Sequence, residues 1–252
     1  MAPRLRSRVV LSLVIAAATL SFAGEGAVSR QDPQHPACIV VGFVGGFVRH
    51  DNLNHGPVQF AQRIRRDLPV GSYVRVFENR HRKSAYTTIL HLLDHDGDGV
   101  LSEAEKRQAH VILFGQSWGG SAVVMLAREL NRAGVPVLLT VQVDSVAKPW
   151  QKDRVIPENV AAAVNFYQTH GLIHGRPEIA AADPSRTRIL GNYRFDYKQS
   201  PIHCDGLSWY YRFVTPGHAQ SECDPHLWTQ VEDLVRQRIE PSTRTVSEVH
   251  QP

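Results

Sequence analysis

Between residues 38 and 143 the hydrophobic positions follow two alternating rhythms. Compact apolar runs occur at CIVVGFV (38–44), YVRVF (73–77), HVILFG (110–115) and VPVLLTVQV (135–143). Runs of this kind mark strands buried on both faces. Between them apolar residues recur every three or four positions, the spacing of one helical face. Such stretches are PVQFAQRIRRDL, with Pro57 near its start; AYTTILHLL, with Ser84 as the expected N-cap; and a long segment from Trp118 to Arg132, stopped at Gly134. Further on, PENVAAAVNFYQ is expected to be a helix with Pro157 in its first turn, and RILGNYRF (188–195) a fifth strand. DPHLWTQVEDLVRQRI reads as a last helix with Asp224 as N-cap and Pro225 at N1. Strands alternating with helices predict an α/β fold with a mostly parallel sheet and helices on both faces. No internal repeat or long linker divides residues 37–252, which are expected to form one domain.

The N-terminal pattern differs. Arg4, Arg6 and Arg8 precede the apolar run VVLSLVIAAATLSFA, and Ser21 and Ala23 suit a cleavage site. This is the layout of an export signal over residues 1–23, followed by a polar lead-in at 24–36. The run is short for a membrane span, which needs about 20 apolar residues. An uncleaved anchor is the alternative; otherwise no stable membrane insertion is expected. Removing the three leader arginines lowers the formal net charge from +4 to +1. No basic face then argues for nucleic acid. A secreted or periplasmic location would suit the cysteines: Cys204 and Cys223 are able to pair there, while Cys38 opens an apolar run and reads as a buried thiol. Connectivity is not deducible from sequence.

DHDGDGVLSEAE (94–105) fills every position of a twelve-residue EF-hand calcium loop. Asp94, Asp96 and Asp98 stand at positions 1, 3 and 5, and Gly99 at the sharp turn. The Val100 carbonyl, Ser102 through water, and Glu105 bidentately would complete the shell. Calcium takes this many hard oxygens because its coordination sphere is large and flexible. A calcium sensor normally pairs two such loops beside a Met-rich groove; this chain has one loop and two methionines. The loop precedes the third strand, so the ion is expected to clip the structure on the side of the sheet away from Ser117.

Gly115-Gln116-Ser117-Trp118-Gly119 matches the G-x-S-x-G nucleophile elbow, with the required strand before it and helix after it. Here the chain resembles the α/β-hydrolase superfamily, in particular its secreted bacterial lipase-like and esterase-like members. The resemblance covers the chain from about Cys38 to the last helix. It implies an α/β-hydrolase fold and a Ser–acid–His triad in that chain order, acting on a small-molecule ester or acyl substrate. Ser117 would be the nucleophile. The acid would be Asp144, at the end of LLTVQVD, or alternatively Asp196, after RILGNYRF. The base would be His218, with His203 and His226 as alternatives. The oxyanion hole would use the backbone N–H of Trp118 and of Phe43, or its neighbour Val44, in VGFVGG. Val41-Gly42 stands where such enzymes often have His-Gly, and Gln116 where lipase-like elbows often have His.

Three further readings remain open. His203, Cys204, His218, Cys223, Asp224 and His226 gather zinc-ligand residue types, but at the spacing of no common finger. Arg80, His81, Arg82 and Lys83 would lie at the carboxyl edge of the sheet and attract an anion, or form a solvated loop. Segment 145–186 is the expected cover over the site. The rival to a hydrolase is a non-catalytic calcium-binding protein on a hydrolase-like scaffold.

Overall fold

The computed structural model describes residues 36–239. The expected signal (1–23) lies outside the described residues. The chain begins with β1 (Ile39–Val44), α1 (Gly56–Asp67) and β2 (Tyr73–Glu78), then a 3-10 turn at Asn79–His81, α2 (Arg82–Leu93) and α3 (Glu103–Arg107). It continues through β3 (Val111–Gln116), α4 (Trp118–Arg132), β4 (Val137–Val143), β5 (Val155–Ile156), β6 (Val160–Gln168), β7 (Ala180–Ala181) and β8 (Arg188–Phe195). Three helices close it: α5 (Trp209–Val214), α6 (Pro216–Cys223) and α7 (Pro225–Ile239).

Six strands form one sheet in the order β2-β1-β3-β4-β6-β8, parallel at every pairing. Alternate residues of β1 enter opposite cores, as the two-residue period of a strand requires. Ile39, Val41 and Phe43 join Ile89 of α2 and Leu126 and Leu130 of α4. Cys38, Val40 and Val44 join Phe60 and Ile64 of α1 and Trp228 and Val231 of α7. Each fully buried Leu, Ile or Phe contributes about 1.5–3 kcal/mol. The second core is anchored by an edge-on Phe60–Phe114 pair, with ring centroids 4.7 Å apart, and by stacking of Phe60 on Trp228 at 5.9 Å. The α7 cap follows the sequence expectation: Asp224 accepts hydrogen bonds from the N–H of His226 and Leu227.

In the segment PENVAAAVNFYQ, Val160–Gln168 is a strand and not a helix. It is β6, paired with β4 on one side and β8 on the other. Val160 and Ala163 enter the first core, and Ala162, Val164 and Phe166 the second. Its three alanines favour a helix in isolation, but a slot open on both edges supplies backbone partners along the whole segment. The consequence is a sheet of six strands rather than five. The connections β4 to β6 and β6 to β8 contain no helix; they hold the small β5–β7 pair and irregular chain.

The start of α2 also differs. The helix begins at Arg82, so Ser84 lies inside it and no side chain caps its N-terminus. The earlier start accompanies a hydrogen-bonded turn. Asn79 donates to the carbonyls of Val44 and Gly46 at 3.2 and 2.6 Å, tying the end of β2 to the end of β1. The basic run after it is largely neutralised locally. Arg80 and His81 face Glu78, and Arg82 grips Glu129 of α4 through its Nε and Nη2 at about 3 Å.

Candidate active site

The end of β3 and the start of α4 meet in a sharp bend at Ser117, whose φ of 58° and ψ of −128° no ordinary strand or helix residue adopts. Strain of this kind in a non-glycine residue persists only where surrounding bonds hold it. Here the Ser117 N–H donates to Val143 O at 3.0 Å, and Ser117 O accepts from Val146 and Gly120. The bend also needs its glycines. A Cβ on Gly115 would lie 2.4 Å from Gly119 O, and one on Gly119 would lie 2.3 Å from Phe43 O. Side chains there would push the helix off the sheet.

Asp144 follows β4 directly and is wholly buried, with 0% exposure. His218 is brought against it from far along the chain, its Nδ1 2.6 Å from Asp144 Oδ2. The Nε2 of the same ring lies 2.8 Å from Ser117 Oγ. An ionised Asp144 accepts the Nδ1 proton, which leaves Nε2 to accept the serine hydroxyl proton. The other candidates stand apart from this group. Asp196 turns its carboxylate to the N–H groups of Lys198 and Gln199 and to Arg194. His203 and His226 are exposed.

His218 itself lies in the first turn of α6. Pro216 starts that helix, where its missing N–H has no consequence. The helix is stapled at its far end by a disulfide between Cys204 and Cys223, with Cα atoms 5.7 Å apart. Closing a loop of this size stabilises by roughly 3 kcal/mol in the chain-entropy account. The disulfide also removes both thiols from any zinc cluster. Cys38 is a free, buried thiol that donates to His110 O at 3.3 Å, and burial pushes its pKa up to about 12.

Residues that sequence reasoning missed hold Asp144 in place. Gln168, at the end of β6, donates its side-chain amide to Asp144 Oδ2 at 2.8 Å, and its backbone N–H faces Oδ1 at 3.3 Å. The Gly175 N–H donates to Oδ1 at 2.5 Å. A Cβ on Gly175 would fall 2.7 Å from that same oxygen, so the approach requires glycine. Reading β6 as a helix hid Gln168, because only a strand delivers its last residue to the sheet's carboxyl edge beside Asp144. Gln116 also reaches the group, with Nε2 3.3 Å from His218 Nε2.

Ser117 and His218 open into a cavity of about 840 Å³. Phe43 does not line it. That residue is embedded in β1, opposite Gly115 of β3 and Phe77 of β2, where the sheet ladder engages its backbone. Val44 is the last residue of the strand and lies outside the lining as well. The connection that follows borders the cavity, beginning with Gly45, Gly46 and Phe47. It is steadied by Asn79 and by Lys148, whose Nζ donates to Asn79 Oδ1 at 2.6 Å and lies 4.8 Å from the centre of the Trp118 ring. Burial lowers the pKa of that ammonium. Trp118 is the first residue of α4, so its N–H has no partner within the helix. Segment 145–186 supplies Val146, Leu172, Ile173 and His174 to the lining.

At the opposite end of the sheet, the acidic loop joins α2 to α3 ahead of β3. Asp94, Asp96 and Asp98 each present a carboxylate oxygen within 4.8 Å of the others, and Gly99 takes a φ of 82°. Asp94 accepts from the N–H groups of Gly97 and Gly99. Glu105 is not gathered with them. Its Oε1 accepts from the His95 N–H, and its Oε2 from the Ser102 N–H and hydroxyl, completing the capping box of α3. These bonds, led by the Ser102 hydroxyl, hold its pKa down at about 2. Three of the expected oxygen donors therefore suit a hard cation as they stand, while Glu105 would have to exchange amide donors for the ion.

No protein-family model matches the chain, and no curated sequence matches it significantly. Among solved structures, the chain is similar to the thioesterase RedJ from the prodiginine biosynthetic pathway of Streptomyces coelicolor, at 10% identity and a TM-score of 0.41 over 80% of this chain and 92% of that one. It is similar to a thermostable esterase from Pseudomonas putida at 13% identity and a TM-score of 0.41, covering 82% and 76%. An acetylxylan esterase overlaps at 11% identity and a TM-score of 0.40, covering 82% and 100%. Overlap this loose carries no weight for the chemistry, which rests on the chain's own geometry. The parallel sheet with a strained strand–serine–helix bend at its carboxyl edge agrees with an α/β-hydrolase fold. Among the described residues no helix is long and apolar enough to cross a membrane.

Proposed function

We infer that this protein is a serine hydrolase of carboxylic esters or thioesters. Ser117 is the nucleophile, His218 the general base and Asp144 the acid that orients it. The observation that carries the reading is the unbroken contact from Asp144 through His218 to the strained Ser117, at 2.6 and 2.8 Å, beside a cavity large enough for a small substrate. In this mechanism His218 Nε2 takes the Ser117 proton as Oγ attacks the acyl carbonyl. The oxyanion that forms is met by the Trp118 N–H and by the backbone of the Gly45–Phe47 turn, a contribution of about 3–4 kcal/mol for one such donor. Asp144 accepts the hydrogen bond from the Nδ1–H throughout and stabilises the imidazolium. His218 then gives its Nε2 proton to the departing alkoxide or thiolate, and the acyl group stays on Ser117. Water, deprotonated by the same nitrogen, attacks the acyl-enzyme, and His218 returns that proton to Ser117 Oγ as the acyl–oxygen bond breaks and the acid leaves. The test is labelling with a fluorophosphonate probe: modification maps to Ser117 and is lost in Ser117→Ala. A folded wild-type protein that takes up no probe ends this reading.

The acidic loop is proposed to bind calcium as a structural clip. Asp94, Asp96 and Asp98 would hold the ion, with the Val100 carbonyl, Ser102 and Glu105 completing its shell. When bound, the cation would relieve repulsion among grouped carboxylates. Support comes from the convergence of the three aspartates and from the loop's position before β3, whereas Ser117 follows the other end of that strand. Export is proposed from the charged and apolar pattern of residues 1–23; the Cys204–Cys223 disulfide favours an oxidising compartment.

A further inference from the structure

A second carboxylate–imidazole pair lies in the same cavity, and the mechanism above does not use it. Glu222, in α6, has a side chain of 0% exposure. One carboxylate oxygen lies 2.5 Å from His55 Nδ1, and the other accepts the Tyr211 hydroxyl at 3.1 Å. His55, Glu222 and Tyr211 all line the cavity that holds Ser117. Burial beside Glu222 raises the Tyr211 pKa, so its hydroxyl remains a donor. A buried carboxylate is costly, and well-packed apolar side chains would usually serve stability as well or better. Its partners leave one group available: with His55 Nδ1 engaged by Glu222, the ring's Nε2 makes no hydrogen bond among the described residues.

The position of this cluster relative to the triad indicates which half of a substrate it meets. The Tyr211 ring stands edge-on to the His218 ring at 6.3 Å, and Gln116 touches both residues. The cluster is therefore on the imidazole side of Ser117. In ester cleavage the leaving alcohol is protonated by the imidazole, so the alcohol half of the substrate must lie on that side. The nearby chain adds Asn52, Asn54 and Ser208 to the wall, whereas Val146, Leu172 and Ile173 are apolar.

We propose that His55, held by Glu222, is a specificity-determining residue that accepts a hydrogen bond from a hydroxyl on the alcohol half of the substrate, so that the preferred substrate class is esters of polyhydric alcohols. The assignment rests on the hydrolase reading above. In the neutral ring, an Nδ1–H donated to Glu222 leaves Nε2 as an acceptor, which favours a hydroxyl and gains nothing from an ether. Glu222→Gln reverses this polarity. The new amide donates to Nδ1, the ring proton moves to Nε2, and hydroxyl and ether oxygens become equally acceptable.

The experiment compares kcat/KM for 2,3-dihydroxypropyl butyrate and 2,3-dimethoxypropyl butyrate in wild type, His55→Phe and Glu222→Gln, with fluorophosphonate labelling of Ser117 measured in parallel. Wild type is expected to favour the diol ester by at least about tenfold, since a site built to bond a hydroxyl rejects the analogue that cannot supply one. The ratio should fall toward one in both variants. If His55→Phe does not fold, Glu222→Gln, which keeps the ring and its partner, decides alone. A wild-type ratio near one, or a Glu222→Gln protein retaining the wild-type ratio, overturns the proposal while Ser117 labelling keeps the hydrolase reading intact. Labelling of Ser117 without cleavage of either butyrate also overturns it. Absence of both labelling and cleavage overturns the two readings together.

Discussion

The two ends of the parallel sheet hold aspartates under opposite conditions. At the carboxyl edge Asp144 is fully buried and surrounded by donors from distant parts of the chain: Gln168, Gly175 and His218. At the amino edge Asp94 is half-buried, Asp96 and Asp98 are exposed, and their hydrogen bonds come from amides within the same loop. Burial with fixed donors turns a carboxylate into an orienting device, because its oxygens have no freedom left. Local amides shape the exposed cluster but leave one oxygen of each aspartate near the others. The same residue type is thus proposed for a directional task at one end and for an ion site at the other.

The largest effect that sharpens this contrast is expected at Asp144. Asp144→Asn should lower kcat by on the order of 10⁴-fold, because the amide favours the wrong imidazole tautomer. An ester-hydrolysis rate within tenfold of wild type would remove Asp144 from its role. Next come the residues that hold it. Gln168→Leu or Gly175→Ala should reduce kcat by about 10²-fold through misplacement of the imidazole, with a smaller change in KM. Equal kcat in a variant whose melting temperature falls would mark these contacts as structural only.

At the other end the readout is stability. Calcium at a hundredfold excess over its dissociation constant stabilises by about 2.7 kcal/mol, which corresponds to a rise of roughly 5–10 °C in Tm for a domain of this size. Chelation should reverse the rise, and Asp96→Asn should shrink it. A Tm indifferent to calcium would leave the amino edge as an acidic turn. The last effect, confined to alkaline pH, belongs to Cys38. Its folded pKa, about 12, stands above its ordinary value of 9.0, so the stability it contributes is complete below pH 9 and is lost as pH rises from there toward 12. Thermal melts across that window should show a shallower alkaline decline in Cys38→Val than in wild type.

Some of this could be read without coordinates. The runs at 38–44, 110–115 and 135–143 are apolar enough to be strands in any context, and a glycine-flanked serine between strand and helix identifies its own bend. The acidic loop is likewise complete within twelve residues. In VAAAVNFYQ the local preference misled: alanines favoured a helix, and the strand became clear only with β4 and β8 on either side. His226 and His218 both sit in helices; access to Asp144, not element type, is what separates them.

The sequence alone therefore determined the features whose cause lies within about a dozen neighbouring residues: strand and helix rhythm, the serine bend and the spacing of the acidic loop. Only the tertiary structure decided which aspartate meets His218, that Gln168 and Gly175 hold it, and that His55 faces Glu222. His218 is 74 residues from Asp144 and 101 from Ser117, and His55 is 167 from Glu222. Backbone preferences act over one or two turns of chain, whereas meetings at these separations follow from strand order, and strand order is a property of the assembled sheet.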